Sequence, residues 1–270
     1  MSALRAELLR FAREDGGVDL YDPLLERLIH LAPGEEPVDP LLFEGPLAER
    51  LRAQIHARFA RPWPALPAVE GGPIEALDAV PHLHPQIADP WRRPEPWRRL
   101  IEEGRAGGPL LRLPGLLGDE AVSALIDDLE RLEWQRLDTA AVRARRAPLP
   151  CPAWIDAPFR ALCGAALGRA LPMRFLSQGW RMEPGDGLAI HPDGARYAAT
   201  LVLGLSPGWT AAMGGALAFG EPSLDGLRAP LRWLPQAGDA LLFAPHATSF
   251  HAVEPVRAGR RQTLTGWWMD

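Results

Sequence analysis

The sequence predicts an α+β protein: a jelly-roll barrel with flanking helices, preceded by a helical N-terminal extension. Three observations carry this. After residue 171 the chain breaks into eight short apolar runs bounded by Gly and Pro, the spacing of a sandwich or barrel. Two amphipathic stretches just before those runs have helical period. The first sixty residues also carry apolar positions three and four apart.

The elements follow in order. MSALRAELLRFARED reads as a helix capped by Ser2. Asp22-Pro23 opens a second (DPLLERLIHLA), and Pro46 a third (PLAERLRAQIHARFA), each with Pro at the first helical position. Residues 61–98 are dense in Pro, with Gly71-Gly72, and read as a linker or wrapping segment. Residues 1–105 thus form the extension and 106–270 the main domain. There, GPLLRLPGLL gives a strand and turn, and GDEAVSALIDDLERLEW a helix with an acidic first turn. VRARRAP, with Arg143, Arg145 and Arg146, reads as a basic loop, and about 157–170 as another helix. The apolar runs are RFLSQGWRM, GLAIH, RYAATLVLGL, ALAFG, LRWL, ALLFA, HAVEPV and RQTLTGWW.

Composition narrows the function classes. A chain of 270 residues can bury a sizeable core. Its net charge of −5 provides no basic field for nucleic acid. No apolar run approaches the roughly 18–20 residues that span a membrane. The N-terminus lacks a signal-peptide pattern, so a cytoplasmic location is expected. Cys151 and Cys163 lack zinc-site spacing, and no disulfide is expected in a reducing compartment. There is no lysine, which excludes Schiff-base chemistry on this chain and leaves Arg as the only fixed side-chain cation.

The chemistry concentrates on three residues. Of seven histidines, only His191 heads a His-x-acid triplet, His191-Pro192-Asp193. Residues i and i+2 of extended backbone share a face, so imidazole and carboxylate project together. Pro192 cannot join a sheet ladder, which sets the triplet at a strand end. His251 follows sixty residues later. Two His and one carboxylate on one face of a metal form the facial triad of non-haem Fe(II) oxygenases. A buried Fe(II) with Asp193 and doubly charged 2-oxoglutarate leaves one negative charge uncompensated. Arg261 can neutralise it, and Thr263, Thr265 and Trp267 share its strand face. A guanidinium with the Thr263 hydroxyl suits a distal carboxylate.

These residues, with the strand and helix LLRLPGLLGDEAVSALIDDLERLEW, the RMEPGDGLAIHPDG segment, Gly214-Gly215 before ALAF, PQAGDALLF, and His251 followed by Val253, Pro255, Val256, Gly259, Arg261, Thr263 and Trp267, carry a family resemblance. Residues 108–270 resemble the iron(II)/2-oxoglutarate-dependent dioxygenases of the prolyl-hydroxylase-like branch. The resemblance implies a double-stranded β-helix, a cupin-like barrel. It also implies Fe(II), 2-oxoglutarate and O2, with ascorbate as accessory reductant, and hydroxylation of a C–H bond. Related halogenases lack the carboxylate, so Asp193 favours hydroxylation. Two positions depart from the family: Gly204 stands near a tyrosine that contacts the co-substrate, and Ala216 replaces an acid after the Gly-Gly pair. Tyr197, Gln178 and Thr200 are candidate replacements.

Three readings stay open: a hydroxylase of a peptide, protein or amino-acid-like substrate; a hydroxylase or desaturase of a small natural product; and a non-catalytic metal-binding barrel. The remaining histidines read as bland. His246 is a turn residue, His82 and His84 surface-loop residues, and His30 and His56 helix residues. Trp180, Trp267 and Trp268 read as barrel core.

Overall fold

The eight apolar runs become eight strands of one curled antiparallel sheet. The computed structural model describes residues 3–269 except 6, 14, 26, 60–71, 109, 140, 224–225 and 247–248. The chain begins with β1 (Leu9–Ala12), β2 (Val18–Asp22) and β3 (Arg27–Leu31), then α1 (Pro46–Phe59). Two 3-10 helices (Gly72–His82 and Asp89–Arg92) lead to α2 (Pro94–Arg105) and β4 (Leu111–Leu113). Then come α3 (Asp119–Glu130), β5 (Gln135–Asp138), β6 (Val142–Leu149) and α4 (Ala157–Leu167). The barrel strands follow: β7 (Arg174–Met182), β8 (Gly187–His191), β9 (Tyr197–Gly204), β10 (Leu217–Ser223), β11 (Gly226–Trp233), β12 (Ala240–Phe243), β13 (His251–Val253) and β14 (Arg261–Met269).

The large sheet runs β11-β10-β13-β8-β6-β7-β14-β9-β12-β4, with β5 beside β6. Side-chain alternation divides it into two buried faces. Leu201, Leu203, Leu242, Leu264 and Trp268 face the helices, where they meet Trp97, Leu125 and Phe159. Val202, Leu217, Phe243 and Val253 face the barrel interior. The helices close on this scaffold by local signals. Asp156 caps α4 by accepting from the Phe159 N–H at 2.9 Å. In α3, Ala121, Val122, Leu125 and Leu129 form the buried stripe. The two cysteines are free, Cys163 buried and Cys151 exposed.

The N-terminal reading needs correction. The helices expected over residues 2–15 and 22–32 are instead a three-stranded sheet, β1-β2-β3; Ser2, the expected cap, lies outside the described residues. Gly16, at φ +82°, turns β1 into β2. Asp22-Pro23 does not open a helix. The buried Asp22 carboxylate accepts from the Leu24 and Leu25 N–H groups, an Asx-type turn into β3, and pairs with buried Arg5. Short apolar runs fit either period, and the turn chemistry decides between them. Only the third expected helix forms, as α1.

The Pro-dense stretch is also corrected where it is described. Residues 72–82, 89–92 and 94–105 are helical, and the stretch wraps the core rather than linking two bodies. Leu77, Val80, Leu83, Ile87, Trp91, Trp97, Leu100 and Ile101 belong to the same buried cluster as β4, α3, α4 and the outer barrel face. The Trp91 indole donates to the Pro114 carbonyl at 2.8 Å and the Trp97 indole to the Trp91 carbonyl at 2.7 Å. A boundary at residue 105 would therefore cut through one core. VRARRAP is likewise not a loop but most of β6. It buries Ala144 and Ala147 and sends Arg143 and Arg145 to solvent, an alternation that small inward residues hid.

Candidate metal centre

β8 and β13 lie side by side, and their register pairs His191 with His251. Next to this pair the register slips, Val253 facing Leu188. The extra residue in β8 is a bulge, a device that re-aims side chains beside sites. The two imidazoles stand 4.3 Å apart between ring centres. β8 ends at His191, as Pro192 requires. Asp193, however, is not extended: its φ is +55°, the one positive-φ non-glycine among the described residues. Its carboxylate therefore reaches the histidines through a left-handed turn, which Asp tolerates better than most residues. The structure brings the three expected residues together, but through a turn rather than the shared face of extended backbone.

One ligand atom from each of His191, Asp193 and His251 lies within 4.8 Å of the others. Asp193 Oδ1 is 3.7 Å from His191 Nε2 and 3.9 Å from His251 Nε2. Both Nδ1 atoms are occupied, His191 Nδ1 donating to the Ala189 carbonyl at 3.0 Å and His251 Nδ1 to the Ser249 carbonyl at 2.9 Å. That fixes both tautomers and leaves each Nε2 a lone pair aimed at Asp193. Burial, reinforced by neighbouring His191, pushes the His251 pKa down to about 4 against the pull of Asp193. The ring is neutral at neutral pH and able to ligate. Ser249 Oγ ties the loop before β13 to the Pro192 carbonyl at 3.1 Å, locking the two halves of the cluster together. The donor set fits a divalent ion with an open side.

The cluster opens on a narrow cavity of about 70 Å³. Arg261, Thr263, Thr265 and Trp267 line it together, the inward row of β14. Arg261 is 2% exposed. Its Nε donates to the Gly215 carbonyl at 2.7 Å and its Nη1 to Thr263 Oγ1 at 3.2 Å. Gly215 has φ +64°, and a Cβ there would press on Arg261 Cδ at 3.0 Å; the Gly-Gly turn thus sets the guanidinium in place. No carboxylate pairs with Arg261 among the described residues. Burial lowers its pKa to about 9, which still leaves a cation at neutral pH. A buried guanidinium with only neutral partners is a costly arrangement that an anionic ligand would relieve.

The other candidates divide. Thr200 lines the cavity and donates to Asp193 Oδ2 at 2.8 Å. Tyr197 and Gln178 do not line it. Tyr197 stacks on Trp267 at 5.5 Å instead, and Gln178 sits in the β7–β14 ladder opposite Thr265. Gly204 is explained by packing: a Cβ there would lie 2.1 Å from the Gln236 carbonyl oxygen. His246 is exposed, His84 accepts from the Gln86 N–H, and His30 of β3 pairs with Asp19 of β2. The role of Trp267 beside Asp193 was missed, because an aromatic in a strand reads first as core.

The fold and this site define the class. Residues 177–269, the barrel segment, match the family model described as the 2OG-Fe(II) oxygenase superfamily. That family works with Fe(II), 2-oxoglutarate and O2. Solved structures agree on the fold. The prolyl-4-hydroxylase of Pseudomonas putida is similar at 20% identity and TM-score 0.50, over 64% of this chain and 98% of that one. A prolyl hydroxylase of Trichoplax adhaerens, in complex with a hypoxia inducible factor peptide fragment, gives 16% and 0.52 over 65% and 91%. A 2OG-Fe(II) oxygenase family oxidoreductase of Burkholderia pseudomallei gives 16% and 0.51 over 64% and 90%. A comparison with curated proteins finds no match. Among the described residues no helix is long and apolar enough to cross a membrane.

Proposed function

We propose that this protein hydroxylates a C–H bond of a peptide, protein or amino-acid-like substrate, with Fe(II) on His191, Asp193 and His251. The observation that carries the reading is the pairing of a metal-ready triad with a buried, uncompensated Arg261 in one cavity. Bound Fe(II), 2-oxoglutarate and O2 supply the oxidising chemistry. The chain's own groups do the placing. The triad occupies one side of the metal and leaves the other open. Arg261, with Thr263, receives the distal carboxylate of 2-oxoglutarate, which brings the buried charge to zero: +2 from the metal, −1 from Asp193, −2 from the co-substrate and +1 from Arg261. Leu188, Val202, Leu217, Phe243 and Val253 wall the cavity with apolar surface and keep bulk water from the reacting atoms.

For the substrate, the fold does not decide. The peptide-type reading draws on the likeness to two prolyl hydroxylases, one of them holding a peptide fragment. The test is succinate release from 2-oxoglutarate with Fe(II), screened against peptide pools and small-molecule pools. Substrate-dependent succinate, with a product heavier by one oxygen in the peptide pool, supports the reading. Stimulation only by small molecules sinks the substrate class, and no turnover under any pool sinks the activity.

A further inference from the structure

Asp193 is held by more than its backbone. Thr200 on β9 and Trp267 on β14 are direct cross-strand partners, and both aim at the same carboxylate oxygen. Thr200 Oγ1 donates to Asp193 Oδ2 at 2.8 Å and Trp267 Nε1 to the same atom at 3.4 Å. Thr200 is 1% exposed. The Trp267 indole is itself fixed by stacking on Tyr197, over which the Arg196 guanidinium lies at 4.8 Å. Oδ1, the other oxygen, is the one facing both histidine Nε2 atoms.

We infer that Thr200 and Trp267 are positioning residues that reserve Asp193 Oδ2 and so confine the carboxylate to one-oxygen ligation through Oδ1. A carboxylate can bind a divalent ion through one oxygen or two. Two-oxygen binding would occupy a position that the co-substrate needs. Donors on Oδ2 remove that option and hold the left-handed Asp193 turn at the angle the histidines require. Such outer partners of metal ligands typically change affinity ten- to a hundredfold. Thr200, a candidate co-substrate contact on sequence grounds, is thereby assigned to the ligand carboxylate instead.

The inference rests on the proposed metal site, and the test separates the two. Mn(II) affinity is measured by calorimetry on the full chain for wild type, Thr200→Val, Thr200→Ser, Trp267→Phe and Asp193→Ala, together with the visible spectrum of the Co(II)-loaded forms. Thr200→Val should weaken Mn(II) binding about tenfold and alter the Co(II) spectrum. Thr200→Ser should restore both, which a packing role for the lost methyl would not allow. Trp267→Phe keeps the stack on Tyr197 and removes only the indole donor. It should give a smaller loss in the same direction, and it decides the matter if Thr200→Val does not fold. Wild-type affinity and spectrum in Thr200→Val or Trp267→Phe, with binding lost in Asp193→Ala, overturns the inference alone. Unchanged binding in Asp193→Ala overturns the metal site beneath it.

Discussion

Replacing Arg261 with Met separates ligand recognition from stability. The side chain has similar bulk and no charge. In the free protein it removes the hydrogen bond to the Gly215 carbonyl and the one to Thr263. Each is worth about 1 kcal/mol net, somewhat more where a buried acceptor is left bare. It also removes a buried cation with no carboxylate partner, whose desolvation costs several kcal/mol. These terms oppose, so free Arg261→Met should lose little stability, within about 1 kcal/mol of wild type. Binding should behave otherwise. A charged hydrogen bond contributes about 1.5–3 kcal/mol, or about ten- to a hundredfold in 2-oxoglutarate affinity. The assay is thermal unfolding of the Mn(II)-loaded protein with and without 2-oxoglutarate. At a hundred times the wild-type dissociation constant, the ligand adds about 2.7 kcal/mol to wild type. A variant a hundredfold weaker gains only about 0.4 kcal/mol at that concentration. Equal 2-oxoglutarate-dependent shifts in the two proteins would refute the assignment of Arg261 to the co-substrate.

Three further outcomes follow from the fold. Gly204→Ala should cost about 3 kcal/mol by overpacking, because the new Cβ meets backbone at Gln236 and Pro235; a urea midpoint within error of wild type contradicts the close approach. Burial disfavours the Asp186 anion, but hydrogen bonds from Arg136 and the Glu183 N–H outweigh it and hold its pKa below the usual carboxylate value. Asp186→Asn should therefore cost about 1–2 kcal/mol at neutral pH, Arg136 being part-exposed. The difference should vanish as pH falls from the ordinary carboxylate range, about 4, through the lower folded value; a difference independent of pH rules the ion pair out. A chain beginning at residue 106 loses eight core side chains from residues 77–101. At about 1.5–3 kcal/mol each, roughly 12–24 kcal/mol together, that matches or exceeds the roughly 5–15 kcal/mol stability of a domain. It should not fold, and a cooperative melt with a native near-UV spectrum contradicts the shared core.

The barrel was legible because its strands are short apolar runs between Gly and Pro, and each run became a strand. The first thirty residues were not. LLRFA and LLERLIHL fit a helical stripe as well as a strand face, and what settles them is long-range: the Arg5–Asp22 pair and sheet pairing between β1, β2 and β3. β6 was hidden for a related reason, since its inward residues are alanines and its arginines dominate the reading. Within the site, the clustering of His191, Asp193 and His251 was expected from the His-x-Asp triplet together with the family resemblance, and the inward row Arg261, Thr263, Thr265 and Trp267 from strand alternation. The turn at Asp193 could not, because a positive φ at a non-glycine leaves no sequence pattern. Nor could the Thr200–Trp267 pairing, which depends on the register between β9 and β14. A lone hydroxyl in the otherwise apolar run AATLVLG was the available signal.

The central claim is that His191, Asp193 and His251 form one iron site. Anaerobic Fe(II) titration of the full chain, followed by calorimetry, tests it most directly when run beside His191→Ala, Asp193→Ala and His251→Ala. Wild type should bind one Fe(II) per chain, and each variant should lose that binding with its fold intact by near-UV circular dichroism. Stoichiometric Fe(II) binding that survives Asp193→Ala and His251→Ala with unchanged affinity would contradict it.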